Sequence, residues 1–308
     1  MSKIDYSIII PHRDSPDLLI RLLDTISKSA NFQIIIVDDN SGIQVRKKLQ
    51  DLKLNNNIEI IFSNTSNGAG SARNIGIQKA KGKWVLFADA DDYFTIQFEN
   101  LLHKNLDSDA DIIYFNTDSE DENGEQTYRH LRYSKLVYDF LNDNKKENAL
   151  RYYFTPPWGK MIKRDLIVKN NIKFDEIIAS NDIMFSLKTA FFAKKIKACK
   201  DILYVITLSR GSITQIMSKA HFDSKFNTAL NANRFLCSIG MRKYQQSILY
   251  FLGKSYKFGF QYVMYVIFML IKNKSNIFIG MRKFMKLNKV LQERENLNYI
   301  IKDEESKS

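Results

Sequence analysis

The sequence is poor in the residues that build disulfide frameworks, zinc sites and flexible linkers. It has only two cysteines, Cys199 and Cys237, with 4 prolines and 12 glycines in 308 residues. Two cysteines without a C-x-x-C spacing indicate neither a zinc site nor a disulfide framework, and they favour a reduced, cytoplasmic setting. The first apolar run is only residues 8–10, so we expect neither a signal peptide nor a membrane anchor there.

Acidic residues are absent between residues 224 and 292, although that stretch holds 12 lysines and arginines. The other 34 basic residues equal the 34 acidic ones, so the whole net charge of +12 lies in this stretch. Such a segment attracts polyanions, namely an anionic membrane surface, lipid phosphates or nucleic acid. With 44% hydrophobic and 26% charged residues, the chain is otherwise typical of a folded globular protein.

No apolar run in the sequence is long enough to span a bilayer. The most hydrophobic window, residues 258–271, is about 21 Å long as a helix, and a span needs about 20 residues. Lysines flank this window on both sides. It predicts either an interfacial helix on a membrane or a helix packed against the chain or a dimer partner, and both interpretations stay open.

The first 116 residues alternate between short β-branched runs and helical patterns. This order predicts an α/β fold with a mostly parallel central sheet and helices on both faces, whose ligands bind beyond the carboxyl ends of the strands. Strands are predicted at residues 6–10, 34–37, 58–62, 84–88 and 111–115, and helices at 17–28, 45–52, 70–79 and 95–105.

The second part of the chain has longer helical patterns. An acidic, turn-rich segment at 118–126 predicts a surface loop or hairpin tip. Helices are predicted at 134–153, 163–170 and 182–194, a strand at 202–208, and helical structure from 227 onward. We therefore predict one domain over residues 1–222, with halves 1–116 and 117–222, and a basic helical C-terminal extension over 223–308.

Carboxylates gather where two of the predicted strands end. Asp89, Asp91 and Asp92 directly follow the fourth strand, and Asp38 and Asp39 follow the second. The ends of parallel strands face one crevice, and close carboxylates repel each other unless a cation neutralises them. Mn²⁺ or Mg²⁺ prefers such oxygen ligands. The alternative is structural, since aspartate also caps the helices that follow strands.

A glycine-rich run lies at residues 67–76. Gly68 and Gly70 permit a close approach of the backbone, and Arg73 is suited to meet a phosphate or a base. The run matches neither the dinucleotide-binding G-x-G-x-x-G nor the P-loop, so it is weak evidence when taken alone.

Together these motifs resemble glycosyltransferase family 2. They are SIIIP at 7–11, VDDNS at 37–41, the glycine-rich run ending in ARNIG at 76, and GKW followed by DADD at 82–92. The resemblance covers roughly residues 3–222 and implies the GT-A fold. It further implies inverting sugar transfer from a nucleotide-sugar, UDP favoured, to a glycan or lipid-linked acceptor, in the synthesis of capsule, lipopolysaccharide or another cell-surface polysaccharide.

The resemblance assigns a nucleotide-sugar site position by position. Pro11 and Arg73 fall near the nucleotide, and Asp39 resembles the carboxylate that hydrogen-bonds uracil. Asp89 matches the first carboxylate of the family's DXD motif, near the ribose and the metal. Asp91 matches its last carboxylate, the ligand of Mn²⁺ or Mg²⁺.

The acceptor side has a weaker resemblance. WGKMIKR at 158–164 resembles the family's W-x-K-x-x-x-R segment beside the acceptor, so Trp158 is expected to stack on a sugar and Lys160 to lie near it. A core aromatic is the alternative for Trp158. Asp182 matches the catalytic base of the family's E-D-x-x-F stretch, with Asn181 in place of the glutamate and a helix cap as the alternative.

One more metal ligand is implied beyond the run RGSIT at 210–214, which resembles the segment that closes such domains. Some relatives have a metal-binding histidine where this chain has His221. A lone histidine is more often an ordinary helix or surface residue, and that alternative stays open.

Two other functions compete with sugar transfer. A sugar-nucleotide nucleotidyltransferase normally has a glycine-rich loop after the first strand, where this chain has HRDSP at 12–16, a run that also departs from the family pattern. A nucleic-acid-binding protein would leave the aspartate clusters unexplained, so no nucleic acid is expected as a partner. We expect a cytoplasmic protein, peripheral at the inner face of the cell membrane or homo-oligomeric through its basic extension.

Overall fold

The computed structural model describes residues 3–26, 29, 31–51, 57–65, 67–208, 218–273, 275 and 279. The chain divides into two compact units, Met1–Ile177 with Asn181–Ser209, and Ile178–Ser180 with Arg210–Ser308. This division by contacts differs from the predicted domains 1–222 and 223–308, which stay a prediction. The run at 210–214 lies outside the described residues.

The first unit is built on one mixed sheet. Its described strands are β1 (Tyr6–His12), β2 (Phe32–Asp39), β3 (Ile58–Ser63), β4 (Trp84–Phe87), β5 (Tyr93–Phe94), β6 (Ile112–Asp121), β7 (Lys160–Lys163) and β8 (Ile196–Leu208). They are ordered β3-β2-β1-β4-β7-β6-β8-β5. β1 pairs in parallel with β2 and β4, β2 with β3, and β6 with β8. β7 is antiparallel to β4 and β6, and β5 to β8.

The predicted α/β fold with a mostly parallel sheet is therefore confirmed. β5 and β7 were not predicted, because β5 has only two residues and β7 has only two apolar residues, between lysines, which is too little to show a strand pattern. The strand predicted at 111–115 continues to Asp121, so half of the acidic segment 118–126 is strand. The rest forms a hairpin tip closed by a bridge between Glu120 and Gln126.

Helices flank this sheet in the order expected for alternating strands and helices. They are α1 (Pro16–Asp24), α2 (Ile43–Asp51), α3 (Gly68–Lys79), α4 (Phe98–Asn105), α5 (Leu131–Asn142), α6 (Glu147–Tyr153), α7 (Arg164–Lys169) and α8 (Ile183–Phe192). The single helix predicted at 134–153 is in fact α5 and α6. Asp143 separates them, and its carboxylate accepts a hydrogen bond from the Lys145 amide in an intervening 3₁₀ turn.

The central strands are buried on both faces. All seven residues of β1 and all eight of β2 are buried, including the polar Ser7, Gln33 and Asp38. Burying a side chain as large as isoleucine or phenylalanine contributes about 1.5–3 kcal/mol, so these strands fix the sheet firmly in place. The loops at their carboxyl ends therefore start from a rigid base.

The second unit has a small helical core of its own. Its described helices are α9 (Lys219–Ser238), α10 (Leu249–Lys254) and α11 (Phe260–Lys272), which confirm the predicted C-terminal helical extension. Phe222 and Phe226 of α9 pack with Phe251 of α10 and with Val266 of α11. None of the helices in the described part of the chain is both long enough and apolar enough to cross a membrane.

We predict that Gly82→Ala destabilises the protein by roughly 1–3 kcal/mol, because a Cβ at this position would overpack a rigid contact. The added atom would lie 2.6 Å from both the amide nitrogen of Ser7 and the carbonyl carbon of Tyr6, in the backbone of β1. Urea unfolding measures the change. The control is Gly253→Ala in α10, where a Cβ meets nothing within 4 Å. Equal unfolding free energies for the two variants would contradict the prediction.

Candidate active site

The two aspartate clusters are brought to one edge of the sheet by the strand order. β1 lies between β2 and β4 and is parallel to both, so the carboxyl ends of all three strands share one edge. Asp38 and Asp39 end β2, and Asp89 lies two residues after β4. The expected convergence of these carboxylates at the crevice is therefore present in the strand topology.

Arg73 of α3 connects three distant parts of the sequence. Its guanidinium donates to the Asp89 carboxylate (2.5 Å) and to the Asn181 side-chain oxygen (2.9 Å). It also lies over the ring of Phe174, 5.3 Å from the centroid, and the residue is buried. Charge-assisted hydrogen bonds of this kind are short and directional. Arg73 thus joins the aspartate turn after β4 to the segment that precedes α8.

Asp182 immediately precedes α8, but its side chain makes no capping hydrogen bond to the helix. Burial raises the pKa of the Asp182 carboxyl, and the negative charge of Asp89 adds to this effect. Arg73 and Lys160 oppose it. A carboxylate with a raised pKa is a stronger base than an ordinary one. The structure thus shows no capping hydrogen bond from the Asp182 side chain, and the role of Asp182 as the base stays a prediction.

The aspartate turn after β4 is electrostatically strained. Burial raises the pKa of Asp91, and the neighbouring Asp89 raises it further. Burial followed by repulsion from Asp91 and Asp89 raises the pKa of Asp92 well above its ordinary value. Neither side chain caps α4, which begins at Phe98 with Gln97 as its N-cap. A positive ligand at this turn would relieve the repulsion.

Asp92 and Tyr204 form a pair that the sequence did not reveal. The Asp92 carboxylate accepts the Thr207 amide at 2.8 Å and the Tyr204 hydroxyl. The same hydroxyl accepts the Asp89 amide at 2.8 Å. Tyr204 of β8 therefore holds the backbone of the aspartate turn in place. Three nearly adjacent aspartates look alike in a sequence, so only the structure separates Asp92, which anchors the turn, from the half-buried Asp89, which pairs with Arg73.

Asp39 caps the helix that carries Arg73. Its two carboxylate oxygens accept the backbone amides of Asn67 and Gly68, each at 3.0 Å, at the start of α3. The structural alternative is thus present, while carboxylate oxygens have further lone pairs for a ligand. Contact of Asp39 with uracil stays a prediction. Pro11 is buried in β1, in register with Val37 of β2, and its contact with the nucleotide also stays a prediction.

The departure from the family pattern after Pro11 has a structural role. The buried Asp38 carboxylate lies 3.1 Å from Nδ1 of His12 and 3.3 Å from Nε of Arg46. Nε2 of His12 accepts the Ser15 amide at 3.2 Å. That bond assigns the imidazole proton to Nδ1, from which it is donated to Asp38. His12 therefore fixes the loop that follows β1 beside the end of β2.

Trp158 lies inside an aromatic cluster. It is 4% exposed, and its ring centroid lies 5.0, 5.9 and 5.8 Å from those of Tyr133, Phe154 and Tyr204. This burial favours the core alternative for Trp158, and its stacking on an acceptor sugar stays a prediction. Trp158 stacks on Tyr204, whose hydroxyl holds the Asp89 amide, so the aromatic cluster also helps to position the aspartate turn.

Lys160 is buried in the same region. Its ammonium donates to the Phe154 carbonyl at 2.7 Å and lies 5.3 Å from the centroid of the Tyr114 ring. Burial lowers the pKa of Lys160 to about 7, and the charge of Asp182 opposes that shift. The positive charge of Lys160 in turn opposes the upward shift in the pKa of Asp182. The predicted position of Lys160 near the acceptor stays a prediction.

Gly70 allows the segment before α8 to lie on α3. A Cβ at Gly70 would come within 2.2 Å of the Asp175 carbonyl oxygen and 3.1 Å of the Asn181 Cβ. Ser180 has a φ of 61°, a left-handed conformation that is uncommon for residues other than glycine. The backbone is thus shaped to place Asn181 against Arg73 and Asp182 beside it.

His221 belongs to α9 in the second unit. Its Nδ1 hydrogen-bonds to the Ser218 hydroxyl at 2.7 Å, and its role as a metal ligand stays a prediction. Among the described residues, no group of three or more histidine, cysteine, aspartate or glutamate side chains is arranged to hold a metal. Mg²⁺ and Mn²⁺ are commonly bound by one or two carboxylates plus substrate phosphates, and the carboxylates of Asp89 and Asp91 fit that pattern.

Comparison with known proteins agrees with the motifs and the fold. The sequence model described as "Glycosyl transferase family 2" matches residues 7–169. The putative glycosyltransferase EpsH of Bacillus subtilis (strain 168) is 26% identical over 203 residues, 63% of this chain and 57% of EpsH. The poly(ribitol-phosphate) beta-N-acetylglucosaminyltransferase TarS of Staphylococcus aureus (strain MW2) is 25% identical over 217 residues, 67% of this chain and 36% of TarS.

Solved structures share the fold. Residues 1–349 of S. aureus TarS in complex with UDP-GlcNAc superpose with a TM-score of 0.65 at 18% identity, covering 88% of this chain and 81% of that one. The mannosyltransferase PcManGT of Pyrobaculum calidifontis, in complex with GDP-Man and Mn²⁺, has a TM-score of 0.53 at 12% identity, covering 97% and 87%. The GT-A fold implied by the sequence is confirmed.

We predict that Lys160→Met removes a pH-dependent component of stability. Folding lowers the pKa of Lys160 from 10.5 to about 7, so the unfolded chain binds more protons between these values. The lysine's contribution to stability is therefore least favourable below about pH 7 and improves as pH rises. The free energy of unfolding of the wild type should gain on the order of 2 kcal/mol over the variant from about pH 6 to about pH 9.

Urea titrations of both proteins across this range measure the difference. The control is Lys169→Met, because Lys169 is an exposed lysine on α7 that pairs with Asp165 of the same helix. Parallel pH profiles for the wild type and the Lys160 variant would show that Lys160 stays protonated in the folded protein.

Proposed function

Since this chain belongs to glycosyl transferase family 2, we propose that it transfers a sugar from a nucleotide-sugar to a hydroxyl of a glycan or lipid-linked acceptor, with inversion, in cell-surface polysaccharide synthesis. The observation that carries the proposal is the Arg73 bridge, which holds Asp89 and the Asn181–Asp182 segment at one place. A donor-side carboxylate and a candidate base are thereby adjacent, as transfer requires. The family match also favours this function over a nucleotidyltransferase or a nucleic-acid-binding protein.

The donor is a UDP-sugar in this proposal. Support comes from the TarS structure, which contains UDP-GlcNAc, whereas the PcManGT structure contains GDP-Man. Asp39 lies beside the start of α3, the helix that carries Arg73, and offers a carboxylate to the N–H of a uracil. Pro11 is the buried, next-to-last residue of β1, at the edge of the sheet where the nucleotide is proposed to bind.

Asp91 and Asp89 supply the carboxylates for Mn²⁺ or Mg²⁺. The chemistry that a divalent ion held by these carboxylates would supply is Lewis-acid stabilisation of the leaving diphosphate. The protein's own contribution is to fix the turn, through the Tyr204 hydroxyl on the Asp89 amide and the Asp92 carboxylate on the Thr207 amide. Burial and then the charge of Asp89 raise the pKa of Asp91, against the opposing charges of Arg129 and Arg21, so a bound cation would further favour the ionised carboxylate.

Asp182 is the base. Its carboxylate removes the proton of the acceptor hydroxyl while the hydroxyl oxygen forms a bond to the anomeric carbon. The bond from that carbon to the diphosphate breaks on the opposite face, which inverts the anomeric centre. In this proposal the acceptor lies beside the segment that contains Trp158 and Lys160. The side chains of these two residues are buried and hold the segment in place.

We predict that Asp91→Asn lowers transfer at least about 100-fold, because the leaving diphosphate loses its charge compensation. Purified protein is tested for hydrolysis and transfer with UDP-, GDP- and dTDP-sugars, with and without Mn²⁺, and for UDP binding by calorimetry. Mn²⁺ should strengthen UDP binding to the wild type and leave the variant unaffected. The control is Asp107→Asn, a surface carboxylate whose side chain is 94% exposed. Full metal-dependent turnover in Asp91→Asn removes Asp91 from the metal site.

We predict that Asp182→Asn keeps UDP binding but loses about 100- to 10,000-fold in transfer rate, the range typical of a general base. Calorimetry with UDP and Mn²⁺ separates the two effects. Asp165→Asn, which alters an exposed carboxylate on α7, serves as the control. Wild-type turnover in Asp182→Asn would assign the base to another residue, and weakened UDP binding would place Asp182 on the donor side.

A further inference from the structure

Helix α11 has apolar residues on two opposite faces. One face, formed by Tyr262, Val266 and Leu270, is buried in the core of the second unit. Four large apolar side chains occupy the other face and are exposed to solvent. We call them the α11 stripe: Phe260 (78% exposed), Met264 (50%), Phe268 (59%) and Ile271 (71%).

The spacing of the stripe makes it one continuous surface. Its members follow one another at intervals of four, four and three residues, so they lie along the same side of the helix. Apolar side chains of this size are usually buried in the core of a folded protein. A contiguous exposed patch of them marks a surface that meets another apolar phase.

The stripe is not needed to hold α11 in place. The buried face already anchors the helix through Val266 and Leu270, and the Tyr262 hydroxyl hydrogen-bonds to the Asp223 carboxylate on α9. The Lys219 ammonium lies 4.8 Å from the centroid of the Tyr262 ring. Changes in the stripe therefore leave these contacts intact, which makes the stripe separable by mutation.

The charge around the stripe has one sign. Lys257 precedes it and Lys272 follows it, and both are exposed. Among the described residues of the second unit, Asp223 is the only acidic one, and it is paired with Lys219 at 3.2 Å. An apolar surface with a basic border is complementary to anionic lipid, since Lys side chains near such a surface each contribute about 1 kcal/mol.

We propose that α11 lies flat in the surface of an anionic lipid bilayer, with the stripe inserted among the acyl chains and Lys257 and Lys272 at the headgroups. The 13 residues of α11 are too few to cross a bilayer, so the helix stays in the interface. A second copy of this chain is the poorer occupant, because a symmetric contact would bring like charges together along the border of the stripe. Binding to lipid is independent of sugar transfer.

Vesicle co-sedimentation of the full chain tests this proposal. The wild type should partition onto phosphatidylcholine vesicles that contain phosphatidylglycerol, and less onto phosphatidylcholine alone. Phe260→Ser combined with Phe268→Ser should lower partitioning about tenfold or more, because two large apolar groups no longer leave water. The control combines Leu141→Ser with Val168→Ser, two exposed apolar residues of α5 and α7, and should partition like the wild type.

A second variant tests the charge. Lys257→Gln combined with Lys272→Gln should weaken binding to the phosphatidylglycerol vesicles about fivefold per lysine at low salt, and leave binding to phosphatidylcholine unchanged. Added salt should lower wild-type binding and have less effect on this variant. Thermal unfolding followed by circular dichroism confirms that each variant is folded.

The proposal is overturned if the wild type fails to bind the phosphatidylglycerol vesicles, or if the Phe260 and Phe268 variant binds them as well as the control. Sedimentation equilibrium without lipid identifies the competing occupant. A wild-type dimer that the stripe variant dissociates, with no change in vesicle binding, assigns the stripe to a second copy and also overturns the proposal. UDP binding and transfer are measured separately, so failure here leaves the proposed enzymatic function standing.

Discussion

The site depends on a single buried guanidinium. Arg73 is held between the Asp89 carboxylate and the Asn181 side-chain oxygen, and it lies against the ring of Phe174. A buried cation needs partners that replace water, and here those partners come from two segments far apart in sequence. The requirement to pair Arg73 therefore draws the turn after β4 and the start of α8 together. The same contacts compensate the buried charge of Arg73 and bring the proposed donor-side carboxylate and the proposed base together.

A second layer of buried groups keeps that arrangement rigid. Tyr204 links the backbone of Asp89 to the carboxylate of Asp92, and Trp158 stacks on Tyr204. Removal of a partner from such a network leaves a buried polar group unpaired, at a cost of about 1–3 kcal/mol. β8, which carries Tyr204, and β4, which ends two residues before Asp89, belong to one sheet. Small displacements in the aromatic cluster would thus reach the aspartate turn.

Much of this architecture is predictable because its signals are local and repeated. Apolar β-branched runs predicted the ends of β1 to β4 to within two residues. The order of the motifs indicated the GT-A fold. β5 and β7 were missed because they are very short and depend on pairing with distant strands. The candidate site residues were chosen by motif, but their contact partners were not predictable in that way. No sequence pattern places Tyr204 on Asp92, His12 on Asp38 or Lys160 near Asp182, since these contacts join segments that only the folded sheet brings together.

The cap of α3 by Asp39 has a consequence for attempts to change the donor nucleotide. The carboxylate that would be replaced to accept another base also holds the amides of Asn67 and Gly68, and the same short helix carries Arg73. A substitution of Asp39 therefore removes the hydrogen bonds at the first turn of α3 as well as changing the group that faces the base. If Asp39 binds the base as proposed, donor specificity and the start of α3 depend on one side chain, and a new donor preference has to be introduced together with a new first turn for α3.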